Sequence, residues 1–155
     1  MGQSSFAYRS GLLAYFMSLP KTRFISGHVP FSSGVFDHFV ETWQYVTLLR
    51  DPVARWYSVY FFDRARAVGE RFRIDQDLPR YVESARARQE GSAYVRYFSG
   101  SVAENTNTPI EDEIKKACSN LEHFTIVGVL EELSEFAGAF VQMFGAKIHI
   151  SHLNK

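Results

Sequence analysis

The chain has 155 residues, of which 46% are hydrophobic, enough for one domain with a sizeable core. Its 17 basic residues balance its 17 acidic ones, which argues against a general nucleic-acid binder, a class that carries a basic excess. The lone Cys118 excludes an internal disulfide framework and a cysteine-based metal cluster, and no run approaches the roughly 20 apolar residues of a membrane span.

Residues 5–19 read as a helix, with Phe6, Leu13, Phe16 and Met17 at helical spacing and Pro20 as a stop. Residues 22–26 (TRFIS) read as a short strand ending at Gly27-His28. Pro30 and the Ser32-Ser33-Gly34 cluster form a loop, with one helical turn around residues 36–40. Residues 45–49 (YVTLL) are apolar and rich in β-branched and aromatic side chains, the pattern of a strand buried on both faces. Asp51-Pro52 then starts a helix: the carboxylate caps free amide groups, and proline at the first position loses no hydrogen bond. Val53, Trp56, Tyr57, Tyr60 and Phe61 follow at helical spacing as a core-facing stripe, and the helix runs to about Val68 with Gly69 as terminator.

Eight arginines interleaved with acids lie between Asp63 and Arg96, with helices predicted over residues 75–85 and 92–97. A polar loop at 104–108 precedes Pro109, which opens a helix over 110–121 whose buried face is Ile110, Ile114, Ala117 and Leu121. Residues 124–129 (FTIVGV) form a second apolar strand, and a helix over 133–144 ends at Gly145. The tail, 147–155, begins a further strand or loop. Strands alternating with helices imply an α/β fold with a mostly parallel sheet flanked by helices.

Arg50 stands at the carboxyl end of the first apolar strand, the edge at which open α/β sheets bind ligands. A helix amino terminus beside a guanidinium suits a phosphate, and Ser58, two turns along and off the apolar stripe, adds a hydroxyl. An Arg-Asp turn that only closes a strand–helix junction would read the same way.

Four segments in order, GHVPF at 27–31, YVTLLRDPVARWYSVYFF at 45–62, YVRYFSG at 94–100 and IEDEIKKACSNLEHFTIVGVLEEL at 110–133, together resemble the carbohydrate sulfotransferases. The branch is that of heparan sulfate 2-O-sulfotransferase and its bacterial relatives. The resemblance implies a P-loop-like sulfotransferase fold and transfer of a sulfuryl group from 3′-phosphoadenosine 5′-phosphosulfate (PAPS) to a hydroxyl of a carbohydrate. It implies that Arg50 and Ser58 hold the donor's 3′-phosphate, that His28 is the catalytic base, and that no metal takes part. A neutral imidazole suits that task, since a sugar hydroxyl is a poor nucleophile until its proton is taken. Bacterial members of such a family would work in the cytoplasm and animal members in the Golgi lumen.

The sequence departs from the family pattern in one respect. The lysine- and glycine-containing loop that cradles the 5′-phosphosulfate has no counterpart: Lys21 lacks the Thr-Gly-Gly-Thr type of continuation, and there is no GxxxxGK[ST]. The expectation is a partial sulfotransferase domain over 1–155, truncated at its first βα unit. The alternative is an inactive fragment or a non-enzymatic binding module that keeps only the 3′-phosphate half-site. A nucleotide kinase-like protein on a similar sheet is disfavoured by the missing Walker loop, and a nucleic-acid binder by the neutral charge.

Among the remaining candidates, Arg55 is expected to pair with an acid and brace the turn, while Cys118 is expected to be an inert packed thiol. His38, His123, His149 and His152 read as structural or surface residues. The arginines between 64 and 96 read as a solvated face, the sharper alternative being an acceptor groove for an anionic glycan; Arg96 is the exception, since the resemblance implies that its YVRYFSG element lies near the site.

Overall fold

The computed structural model describes residues 3–100 and 109–148. Among these the chain is α/β, with eight α-helices and a two-stranded parallel sheet. In order come α1 (Gln3–Ser18), α2 (Ser33–Phe39), β1 (Val46–Leu49), α3 (Pro52–Arg64), α4 (Leu78–Val82), α5 (Ala85–Gly91) and α6 (Ala93–Phe98). They are followed by α7 (Ile110–Leu121), β2 (Ile126–Val129), a 3₁₀ turn (Leu130–Glu132) and α8 (Leu133–Phe144). The two strands pair in register, Val46 with Ile126 through Leu49 with Val129, so their carboxyl ends point the same way. The predicted loop at 104–108 and the tail's His149 and His152 lie outside the described residues.

Two apolar centres hold these elements. One is aromatic: Phe31, Phe36, Tyr45, Phe98 and Phe124 pack with ring centroids 5.0–6.2 Å apart, joining the loop before α2 to α6 and to the entries of both strands. The other consists of Tyr60, Ile74, Tyr81 and Ala87, with Trp56 and Leu78 packed against it.

Several local expectations are corrected. Residues 22–26 form no strand; the segment is irregular, and Phe24 is exposed, so nothing stabilises an extended edge there. Strand β1 is only half-buried, with Leu48 exposed, because the sheet has two strands and lacks a full second layer. Along α3 the buried residues are Tyr60 and Asp63, with Trp56 half-buried, whereas Val53, Tyr57 and Phe61 are exposed. That helix packs on α5 along one narrow seam, and it ends at Arg64 rather than Val68. On α7, Ala117 is buried but Ile110 and Ile114 are exposed. Cys118 is likewise exposed rather than packed.

Gly128 explains one element of the sequence pattern. A Cβ at this position of β2 would lie 2.3 Å from Cδ2 and 2.9 Å from Cβ of Phe136, because α8 rests directly on the strand there. Gly128→Ala is expected to cost about 1–3 kcal/mol through overpacking. It should lower the denaturation midpoint, whereas Gly138→Ala, which meets open space on the same α8, should not.

Two buried phenols set a pH limit. Burial pushes the Tyr45 hydroxyl up from its ordinary value near 10, and does the same to Tyr81, where the Arg86 charge offsets part of the rise. Neither hydroxyl has a hydrogen-bond partner among the described residues. The folded state therefore holds these protons more tightly than the unfolded chain does. The stability linked to them is present below pH about 10 and is lost as pH rises through the raised values. Urea midpoints should stay level through neutrality and fall in the alkaline range, and Tyr81→Phe should make that fall shallower.

Candidate functional site

The turn between β1 and α3 forms as its residues dictate. Asp51 Oδ1 accepts from the Ala54 amide at 2.7 Å, the Asp51 carbonyl accepts from the Arg55 amide at 2.8 Å, and Pro52 occupies the first helical position. Arg50 is thereby left at the carboxyl end of β1 beside the amino terminus of α3.

Its main chain is held from a distance of 44 residues. The Tyr94 hydroxyl, on α6, accepts from the Arg50 N–H at 2.9 Å and donates to the Arg50 carbonyl at 3.0 Å. One phenol thus satisfies both peptide groups that a neighbouring strand would otherwise satisfy. Arg55 reinforces this arrangement. Its guanidinium lies 5.5 Å from the Tyr94 ring centre, donates to the Glu90 carbonyl at 3.0 Å and pairs with the Glu90 carboxylate at 2.9 Å. This is the bracing role expected of Arg55, and its acid comes from α5.

The Arg50 side chain is 40% exposed and meets one acid, Glu131, at 3.8 Å from Nε. Both Glu131 oxygens also accept from the Asp51 N–H, at 3.3 and 3.4 Å. Glu131 comes from the 3₁₀ turn after β2, and the parallel register delivers it to the same end of the sheet as Arg50. Ser58 lies on α3 seven residues beyond Asp51, which at 3.6 residues per turn puts it on the same helix face about 10 Å further along, and it is exposed.

His28 sits in the irregular segment before α2. Its imidazole is exposed and makes no hydrogen bond or ion pair with the described residues, while its carbonyl accepts from Arg9 at 2.9 Å. Three residues on, the Phe31 amide donates to the Tyr97 carbonyl at 2.7 Å. Helix α6 therefore ties down both the segment that carries His28 and the turn that carries Arg50.

The YVRYFSG segment thus matters through Tyr94 and Tyr97, which sequence reasoning passed over in favour of Arg96. Arg96 is exposed and donates to the Gln89 carbonyl at 2.6 Å. No sequence signal marked Tyr94, since a tyrosine on a short helix carries no sign of the peptide group it will reach.

The other arginines divide: Arg64, Arg71, Arg80 and Arg88 are exposed, as a solvated face implies, whereas Arg66, Arg73 and Arg86 are half-buried. Asp63, expected among the solvated acids, is 6% exposed and receives Arg66 at 2.6 Å together with Arg86. Arg64 donates to the Gln76 carbonyl at 2.5 Å, Arg86 to that of Phe72 at 2.8 Å, and Arg73 to that of Arg66. These guanidinium groups staple the loop between α3 and α4. A surface hollow of about 310 Å³ beside them is lined by Arg73, Ile74, Asp75, Gln76, Tyr81 and Arg86.

Of the other histidines, both His123 and His38 are exposed, His123 lying against the Phe36 ring at 5.0 Å and His38 against Phe39 at 4.6 Å. Among the described residues no cluster of three or more His, Cys, Asp or Glu side chains is placed to hold a metal ion. No described helix is long and apolar enough to cross a membrane. Comparison with known protein families, curated proteins and solved structures finds no match for this chain.

Proposed function

We propose that the chain is a sulfotransferase-family domain that moves a sulfuryl group from PAPS to a hydroxyl of a carbohydrate. In this reading Arg50 and Ser58 hold the donor's 3′-phosphate, and His28 takes the acceptor proton. The observation that carries it is Arg50 itself. Its guanidinium stands at the carboxyl end of a parallel strand, beside a capped helix terminus, with its peptide groups fixed by Tyr94 and only a loose ion pair to Glu131. A phosphate monoester meets there a planar donor already fixed at its backbone and the positive end of the α3 dipole.

The donor supplies the activated sulfuryl group. The chain's share is to bind the nucleotide at Arg50 and to accept a proton at the His28 imidazole, which is free to meet an acceptor because it is exposed and unpaired among the described residues. The P-loop-like form of the fold belongs to the same reading, as does a carbohydrate as partner.

A second reading is favoured by a specific observation. No described residue orients the His28 ring, and a general base is ordinarily held by a hydrogen bond to a further group. A binding module that takes up the nucleotide without turning it over matches that geometry. Titrating adenosine 3′,5′-bisphosphate into the chain and its Arg50→Ala variant tests the phosphate site, and a sulfate-transfer assay then separates the two readings. Equal affinity in both chains would sink the phosphate assignment.

A further inference from the structure

Resting on the reading of Arg50 as a phosphate ligand, we propose that Glu131 is an internal anion that occupies the ligand's place and is displaced when the phosphate binds. The carboxylate stands where an incoming anion would be drawn. Both its oxygens face the Asp51 N–H, at 3.3 and 3.4 Å, and one lies 3.8 Å from Arg50 Nε. Its origin is topological. Val129 is the register partner of Leu49, so the residue two beyond the end of β2 arrives beside the residues one and two beyond the end of β1.

The contact is poised to give way. The amide distances sit at the long end for N–H···O bonds, whose usual separation is about 2.9–3.0 Å. The two side chains are 40% and 45% exposed, so the pair is in water's reach and weak. A doubly charged phosphate that can also engage the remaining guanidinium N–H groups outcompetes a singly charged carboxylate held this loosely, and Glu131 turns outward into solvent. Until then Glu131 neutralises an otherwise unpaired cation and satisfies the Asp51 amide. Its carboxylate charge therefore lowers the affinity for anions.

The test is calorimetric titration of adenosine 3′,5′-bisphosphate at fixed ionic strength into wild type, Glu131→Gln, Glu132→Gln and Arg50→Ala. Glutamine keeps an oxygen that accepts from the Asp51 amide while removing the charge, and a gain in affinity cannot arise from a damaged fold. Glu132 is the exposed neighbour, with no hydrogen bond or ion pair to Arg50 or Asp51, and controls for net charge. Glu131→Gln should bind about fivefold tighter than wild type, the size expected for removing a weak exposed competitor, and Glu132→Gln should stay within about twofold. Binding by Glu131→Gln where wild type shows none would count the same way. If Arg50→Ala loses affinity but Glu131→Gln is unchanged or weaker, or if Glu132→Gln gains as much, the role given to Glu131 is wrong while the phosphate site stands. If wild type binds and Arg50→Ala binds equally well, or if no variant binds, the phosphate reading fails and Glu131 has nothing to compete with.

Discussion

Arg50→Ala is expected to weaken adenosine 3′,5′-bisphosphate binding by about 10- to 100-fold in calorimetry. A charge-assisted guanidinium–phosphate contact contributes roughly 1.5–3 kcal/mol, and each 1.4 kcal/mol is a factor of ten. The fold should survive, because the tertiary contacts of Arg50 run mainly through its main chain to Tyr94, and its side chain makes only the loose pair with Glu131. The denaturation midpoint should therefore move little while affinity collapses, and a parallel loss of both would assign Arg50 to structure instead. His28→Ala gives the contrasting result. Nucleotide affinity should stay within about twofold, since the imidazole makes no hydrogen bond or ion pair with the described residues of the Arg50 turn, while any sulfate transfer should fall by about 100-fold or more, the usual worth of a general base. If His28→Ala retains full transfer, the base lies elsewhere.

Asp63→Asn is expected to be the most destabilising single change at a polar position, by about 2–4 kcal/mol. The carboxylate is 6% exposed and lies between Arg66 and Arg86, whose side chains are about 30% exposed. Breaking a buried ion pair by removing one partner costs about 3–5 kcal/mol, and the remaining solvent contact of the two arginines lowers that figure. For a domain of this size the loss corresponds to a drop in melting temperature of roughly 5–15 °C. The effect should spread along the loop from α3 to α4, because Arg86 also holds the Phe72 carbonyl and Phe72 sits at φ 71°, in the left-handed region that a non-glycine residue resists. Hydrogen exchange should quicken first at Ile74, whose amide donates to the Asp63 carbonyl at 3.2 Å. If Asp75→Asn, at an exposed acid paired with Arg73, proved as damaging as Asp63→Asn, burial would not be the cause.

Elements whose signals lie within a few residues of one another are legible in the chain without its fold. Asp51-Pro52 set the start of α3, and Gly145, at φ 65°, closed α8 in the left-handed conformation that glycine favours. The bounds of α7 and α8 were read as they stand, at 110–121 and 133–144, because Pro109 and Gly145 mark them locally. The two apolar strands, and hence Arg50 at a strand's carboxyl end, were legible for the same reason. The contacts made after these pieces dock come from packing alone. Tyr94 reaches Arg50 across 44 residues and Glu131 reaches Asp51 across 80, and neither has a periodicity or cap to announce it. Residues 22–26 have the composition of a strand but no neighbouring strand among the described residues to hydrogen-bond, so they remain irregular. The arginines between 64 and 96 were ambiguous because a guanidinium pinned to a carbonyl and one facing water are the same letter. Only packing decides which groups lose their water, and with it which charges must find partners in the chain.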